Sequence, residues 1–329
     1  MSKGSVIRRL FSKSLITDKK PVFIWGTGRC GSYLLYDILS LHPELCSPST
    51  NGLRTKKGLW GHLHHGENIP TGIEDYPRPI EGGNLVWTPA GLPDKIHEND
   101  HDGFDQVDVN KVKAAYKMLC TGPLYDFSSK KCRILDKQPN YLLLVPLINK
   151  IYPDAFHVFC VRDPRLVVNS ILRLMRFTSP DIAGPAYKDG FFGNMFPVGA
   201  MKRMDPLTIE NLVWQVNALI RTGLSYSKIL GERLILFRYE SLHFHAHESI
   251  RLLFDCLELS PQNSLIQLLP DKFENYAPRW PTDDAKFKAN EEISFDSSEK
   301  PYFDSLNDIS ARLNYDIDIP GKFNGEIER

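Results

Sequence analysis

A short apolar run that ends in a glycine-rich turn constrains the fold of this chain more than any other feature. Residues 21–25 (PVFIW) precede Gly-Thr-Gly at 26–28, and apolar residues then recur at helical spacing over 34–39. This order predicts a buried strand, a glycine turn and a helix that begins at the turn. Backbone N–H groups and the helix dipole make such a turn a suitable anion site.

The alternation of strand and helix continues along the chain. It predicts an α/β protein with an open, mostly parallel, doubly wound sheet and helices on both faces. Further strands are expected at 132–136, 155–161 and 234–238, and further helices at 142–148, from Pro164 onward, near 209–230 and near 246–257.

The length of 329 residues, of which 42% are hydrophobic, is sufficient for one large domain. We expect a single domain over residues 20–329 after a basic, flexible tail at 1–19. Two long segments, at about 52–110 and 178–206, contain many glycines and prolines and show little periodicity. Such insertions form the lids and walls of binding sites, or else mobile surface.

Charge and cysteine content limit the partners and the compartment. Forty Lys and Arg residues balance forty Asp and Glu residues, which argues against nucleic acid or an anionic membrane as a partner. No apolar run approaches the roughly 18 to 20 residues of a membrane-spanning helix. Six scattered cysteines without a C-x-x-C pair indicate reduced, mostly buried thiols. We therefore expect a cytoplasmic protein, whose oligomeric state the sequence does not indicate.

The turn at 26–32 (GTGRCGS) offers two hydroxyls, a guanidinium and flexible glycines to a phosphate. Its glycine spacing matches a Walker A loop, but Ser32 stands where that loop has its lysine. Tyr33 stands where it has the hydroxyl that binds magnesium. A P-loop-type nucleotide or small-molecule kinase is therefore an alternative, although the chain lacks the lysine and the hydroxyl of the kinase signature. A tight structural turn is equally compatible with this segment alone.

A second basic element follows the predicted strand at 155–161. There Arg162 can hold a phosphate through charge-assisted hydrogen bonds, and Ser170 on the following helix can donate its hydroxyl. Alternatively, Arg162 and Asp163 form a surface ion pair. In both interpretations Asp163 is expected to cap the helix that begins at Pro164.

These segments together resemble the sulfotransferases that use 3′-phosphoadenosine 5′-phosphosulfate (PAPS). Four motifs occur in the family's order over roughly residues 20–260, which makes the match specific. They are the glycine loop at 21–35 (PVFIWGTGRCGSYLL), the counterpart of the K-T-P segment at 136–140 (DKQPN) leading into 151–155 (IYPDA), the 3′-phosphate element at 162–170 (RDPRLVVNS), and the counterpart of the R-Y-E-D-L strand end at 237–242 (FRYESL).

The resemblance implies a P-loop-like sulfotransferase fold and transfer of a sulfuryl group from PAPS to a hydroxyl or amine of a small-to-medium acceptor. It implies no metal. Arg29 and Lys137 would stabilise the charge on the leaving oxygen. Arg162 and Ser170 would hold the 3′-phosphate, and Tyr239 would contact the adenine. The loop residues that would hold the phosphosulfate are Thr27, Gly28, Arg29, Cys30, Gly31, Ser32 and Tyr33.

The chain departs from the family pattern at the positions where the family has the base that removes the acceptor proton. Pro139 occupies the place of the family's histidine, and the segment at 47–51 lacks the glutamate that other branches use. His62, His64 and His65 in the first insertion are the candidate bases. Loop histidines without a function, or with adventitious metal binding, are the alternatives. A non-catalytic relative that binds the nucleotide is accordingly another possible function.

Overall fold

A central β-sheet organises the fold. The computed structural model describes residues 16–48, 86–92, 101–121, 131–139, 141–177, 209–270 and 300–315. Within these ranges six strands form one sheet in the order β3-β2-β4-β1-β5-β6, with β3 antiparallel to β2 and the other neighbours parallel. The open, mostly parallel sheet is therefore confirmed. The strands are β1 Ile16–Gly26, β2 Leu45–Pro48, β3 Cys120–Thr121, β4 Cys132–Lys137, β5 Phe156–Val161 and β6 Leu234–Arg238.

Helices cover both faces of the sheet, as expected for a doubly wound fold. Side chains alternate along β1, so that Phe23 and Trp25 enter one core cluster while Val22 and Ile24 enter the other, all fully buried. The helices are α1 Ser32–Ser40, α2 Val109–Leu119, α3 Tyr141–Ile151, α4 Pro164–Phe177, α5 Ile209–Ser225, α6 Ser227–Leu230, α7 Glu240–Phe244, α8 Ala246–Cys256, α9 Asn263–Leu268, α10 Lys300–Asp304 and α11 Asn307–Arg312.

Two boundaries differ from the sequence predictions. β1 begins at Ile16, within the segment predicted to be the tail, and Ile16 and Thr17 pair with Cys132 and Arg133 of β4. A register irregularity between Thr17 and Val22 interrupts the apolar pattern that marks a strand. The helix predicted near 209–230 is divided into α5 and α6. Near the break the Ser225 and Ser227 hydroxyls donate to carbonyls three residues earlier, which competes with helical hydrogen bonds.

Part of the first insertion is ordered secondary structure rather than irregular chain. Short 3-10 helices lie at Thr88–Ala90 and His101–Gln106, and α2 begins at Val109. Asp108 caps α2 by accepting from the backbone N–H groups of Asn110 at 3.0 Å and Lys111 at 3.2 Å. The second insertion, at 178–206, lies outside the described residues. All six cysteines are free and five of them are buried.

The sheet brings the predicted site residues to one edge. β1 lies between β4 and β5, and β6 follows β5. Four of the five parallel strands end at Gly26, Lys137, Val161 and Arg238, so the loops that follow them meet at the carboxyl edge. In open α/β sheets this edge is where ligands bind.

Candidate active site

The glycine-rich turn at 26–32 has a conformation that only some residues tolerate. Gly31, the N-cap of α1, has a φ of 81°, and a Cβ at this position would collide with the ring of Tyr239. A Cβ on Gly26 would collide with the carbonyl of Cys160. Arg29 has a φ of 67° without being glycine. Backbone of this kind costs about 1–3 kcal/mol per residue and is concentrated at functional sites.

The glycine-rich turn contains a buried hydroxyl without a hydrogen-bond partner. The N-cap of α1 is Gly31, which has no side chain to accept from the first turn of the helix. The hydroxyl oxygen of Thr27, a residue that is 2% exposed, has no hydrogen-bond partner among the described residues. An unpaired buried polar group costs about 1–3 kcal/mol, and an anion with several oxygens removes that cost by accepting from it. The loop therefore has the chemistry of an oxyanion site.

Two guanidiniums from different strand ends meet at this loop. Arg29 Nε donates to Ser170 Oγ at 3.1 Å, and Arg162 Nη1 donates to the Arg29 carbonyl oxygen at 3.4 Å. Burial, and next the charge of Arg162, lower the pKa of Arg29 to about 10. Neither guanidinium forms an ion pair with a carboxylate in the described part of the chain. Two adjacent, partly buried cations without a carboxylate partner favour a bound polyanion.

The alternative of an Arg162–Asp163 ion pair is wrong. Asp163 instead pairs with Arg165, whose Nε lies 3.0 Å and whose Nη2 lies 2.8 Å from the two carboxylate oxygens. Asp163 also accepts from the backbone N–H of Arg165 at 2.9 Å, so it caps α4 as predicted. Because this pair is buried and complete, the guanidinium of Arg162 is left for another anion.

Tyr239 connects the two arms of the site, which are the glycine-rich turn at 26–32 and the segment at 162–170. Its ring packs on Gly31, and the guanidinium carbon of Arg162 lies 5.0 Å from the ring centroid. The residue is only 6% exposed. The contact of Tyr239 with adenine stays a prediction, since the described contacts of this side chain are with the loop, Arg162 and His243.

Lys137 lies beneath the loop at the end of β4 and is fully buried. Its ammonium stands over the ring of Tyr33, 2.8 Å from the centroid. Burial alone raises the pKa of the Cys30 thiol, but hydrogen bonds with Cys160 and Ser32 and the charge of Lys137 outweigh burial and lower it to about 7. The surroundings of this thiol therefore favour its thiolate form.

A buried hydrogen-bond cluster behind Lys137 was not predicted. Asp136 accepts from Tyr116 Oη at 2.7 Å, from Tyr141 Oη, and from the backbone N–H of Lys137 at 2.7 Å. Trp87 Nε1 donates to Tyr141 Oη at 3.1 Å. Burial, and next the charge of Asp136, raise the pKa values of both tyrosines. The cluster fixes the strand end that carries Lys137 and ties it to α2 and to residues 86–92.

Loss of one donor to Asp136 should destabilise the protein measurably. We expect Tyr116→Phe to lower the free energy of unfolding by about 1–3 kcal/mol, because it leaves a buried carboxylate oxygen short of a donor. Tyr152→Phe is the matched control, since the Tyr152 hydroxyl is buried without a partner in the described ranges. Its removal should change stability by less than about 0.5 kcal/mol or increase it. Urea unfolding of both variants measures the difference, and equal losses would contradict the role of the cluster.

The predicted site residues are only partly brought together. Arg29, Ser32, Tyr33, Lys137, Arg162, Ser170 and Tyr239 lie around the carboxyl ends of β1, β4, β5 and β6. The candidate bases His62, His64 and His65 lie outside the described residues. Within the described ranges no group of three or more His, Cys, Asp or Glu side chains is placed to hold a metal ion. None of the helices in those ranges is long and apolar enough to cross a membrane.

Comparison with known proteins identifies the class to which this fold and site belong. A family model described as "Sulfotransferase family" matches residues 21–263, well over half of the chain. The chain is therefore a member of the sulfotransferase family. The matched region begins just before the glycine-rich turn at 26–32 and ends after α8.

Individual relatives are more distant. The structure of sulfotransferase STF9 from Mycobacterium avium superimposes with a TM-score of 0.52 at 16% identity, over 97% of this chain and 82% of that one, which shows agreement in fold. The nodulation protein NoeE of Sinorhizobium fredii is 24% identical over 45% of this chain and 30% of its own length. The mitochondrial malate dehydrogenase 1 of Arabidopsis thaliana is 28% identical over 36% of this chain and 35% of its own. The chain thus spans about a third of each of these two curated proteins.

Proposed function

We propose that this protein transfers a sulfuryl group from PAPS to a hydroxyl or amine of a small-to-medium acceptor. The observation that carries the proposal is the meeting of Arg29 and Arg162, two partly buried guanidiniums without a carboxylate partner in the described residues. The two residues follow different strands, and the Arg162 guanidinium donates to the backbone carbonyl oxygen of Arg29. A donor with phosphate groups at both ends of its ribose matches this pair.

In the proposed complex each arm binds one end of the donor. The phosphosulfate is held by the loop from Thr27 to Tyr33, through backbone N–H groups, hydroxyls and the Arg29 guanidinium. Arg162 and Ser170 hold the 3′-phosphate, and Tyr239 contacts the adenine. Support comes from the unpaired Thr27 hydroxyl and from the buried Nε of Arg162, which likewise has no described partner.

The proposed reaction is an in-line displacement at sulfur. The acceptor oxygen or nitrogen forms a bond to sulfur while the bond from sulfur to the 5′-phosphate oxygen breaks, and adenosine 3′,5′-bisphosphate leaves with that electron pair. Negative charge grows on the leaving oxygen, where Arg29 and Lys137 stabilise it. The acceptor proton passes to a base, for which His62, His64 and His65 are the candidates.

Nucleotide preference tests this function first. We expect adenosine 3′,5′-bisphosphate to raise the melting temperature more than ATP with magnesium, with about 2.7 kcal/mol of stabilisation at a hundred times its dissociation constant. In Arg162→Ala, affinity for this nucleotide should fall roughly 10- to 100-fold, while adenosine 5′-phosphosulfate, which lacks the 3′-phosphate, should be nearly unaffected. Calorimetric titration of both ligands gives the comparison.

The alternatives predict other outcomes of the same experiments. A kinase would be stabilised more by ATP with magnesium, although Ser32 in place of the Walker lysine argues against it. A non-catalytic relative would bind adenosine 3′,5′-bisphosphate but release none from PAPS with any acceptor in a panel of alcohols, phenols and amines. Equal losses for both nucleotides in Arg162→Ala would remove Arg162 from its proposed role.

A further inference from the structure

The C-terminal helices contact the proposed donor site although they lie beyond the region that the family model matches. Tyr315, just after α11, is 3% exposed and donates its hydroxyl to Glu240 Oε2 at 2.6 Å. The other oxygen of Glu240, Oε1, accepts from the backbone N–H of Asp163 at 3.1 Å. Asp163 directly follows Arg162, so three consecutive links join Tyr315 to the arm that presents the guanidinium.

The position of Tyr315 is fixed independently of Glu240. Ile309 and Leu313 are fully buried in the core, and Arg238 Nε donates to the Leu313 carbonyl oxygen at 3.0 Å. Arg221 Nη2 lies 2.7 Å from Asp308 Oδ2. The segment therefore holds its tyrosine rigidly against the site, and the hydroxyl acts as a fixed donor.

Glu240 is a carboxylate that could neutralise Arg162. The two side chains attract each other, and burial raises the pKa of Glu240 to about 7 against the opposing charge of Arg162 and the hydrogen bonds from Tyr315 and Asp163. A buried carboxylate that loses one of two donors must find another. Arg162 is the cation whose charge acts on Glu240, and its Nε has no described partner.

We propose that Tyr315 is a positioning residue for the donor site. It holds the Glu240 carboxylate on the Asp163 backbone and away from Arg162, which keeps the Arg162 guanidinium for the 3′-phosphate. This inference rests on the proposed function, because it assigns Arg162 to that phosphate. It also gives the residues after the matched region a part in donor recognition.

Tyr315→Phe tests the inference through a difference between two nucleotides. At pH 8, we expect the variant to bind adenosine 3′,5′-bisphosphate roughly tenfold more weakly than the wild type and adenosine 5′-phosphate within about twofold of it. Tyr302→Phe, the same substitution in α10 at a side chain that is 37% exposed, should leave both affinities unchanged. Calorimetric titration gives the dissociation constants, and thermal unfolding confirms that the variants are folded.

Removal of the charge should rescue the variant. In Glu240→Gln/Tyr315→Phe the neutral amide cannot neutralise Arg162, so affinity for adenosine 3′,5′-bisphosphate should return to within about threefold of wild type. Glu240→Gln alone should also stay within about threefold, which tests the inference even if Tyr315→Phe does not fold. Equal losses for both nucleotides, no loss, or no rescue would overturn it while leaving the proposed function standing. A wild type without preference for the 3′-phosphate would overturn both.

Discussion

Lys137→Met should lower kcat for sulfuryl transfer about 100- to 1,000-fold while the affinity for adenosine 3′,5′-bisphosphate changes little. Lys137 is fully buried below the loop, and its ammonium is one of the two cations proposed to meet the charge on the leaving oxygen. That charge exists fully only as the bond to sulfur breaks. Loss of the Lys137 ammonium therefore costs about 2.7–4 kcal/mol in the transition state and far less in the ground state.

Methionine keeps the length and apolar stem of the lysine, so the variant removes the charge with little change in packing. Lys228→Met is the matched control, because Lys228 lies exposed on α6, away from the loop. Single-turnover assays with PAPS separate the chemical step from binding. A variant that loses nucleotide affinity and keeps its single-turnover rate would show that Lys137 binds the donor rather than stabilising the leaving group.

The second large effect concerns stability and pH at Glu240. Burial raises the pKa of this carboxyl from 4.5 to about 7, against the opposing influence of Arg162, Tyr315 and the Asp163 N–H, while the Asp163 carboxylate raises it further. The folded protein thus keeps a proton that the unfolded chain releases. The contribution of this group to stability is present below about pH 4.5 and is lost as the pH rises through about 7.

Glu240→Gln removes this titration. The free energy of unfolding of the variant, relative to wild type, should increase by about 3 kcal/mol between pH 4.5 and pH 8. This is the energy that corresponds to a rise in the pKa of Glu240 from 4.5 to about 7. The amide can still accept from the Asp163 N–H, and the Tyr315 hydroxyl can rotate to accept from it. Urea unfolding at several pH values gives the curve. A relative stability that is constant across this range would show that Glu240 titrates near its ordinary pKa.

Much of the architecture could be predicted because the signals are local. The β1 strand, the glycine turn and α1 follow one another within about twenty residues, and Arg162 immediately follows the last residue of β5. β2 and β3 escaped prediction because they comprise four and two residues, which is too short for periodicity to show. The site residues found from the sequence are those that strand ends present directly.

The remaining contacts join positions that the sequence does not connect. Tyr315 lies 75 residues from Glu240, and Tyr116 lies 20 residues from Asp136 on an element that was not predicted. A tyrosine just after a short helix belongs to no sequence pattern, and only the packing of α11 brings it to the carboxylate. Glu240 belongs to the recognised R-Y-E segment, but its partners depend on the fold. The catalytic base is unassigned for a different reason, since the departure from the family pattern leaves no motif to follow.

The placement of Tyr239 between Gly31 and Arg162 has a consequence for how ligand fragments combine. The loop and the second arm are already in contact through this ring, so their relative position is set when the chain folds. Binding of one phosphate therefore need not draw the other arm into place. A preorganised site of this kind lets two tethered fragments add nearly their full free energies, since little ordering cost remains to be met on binding. Under the proposed function, recognition of the whole nucleotide is therefore steeply selective over either half.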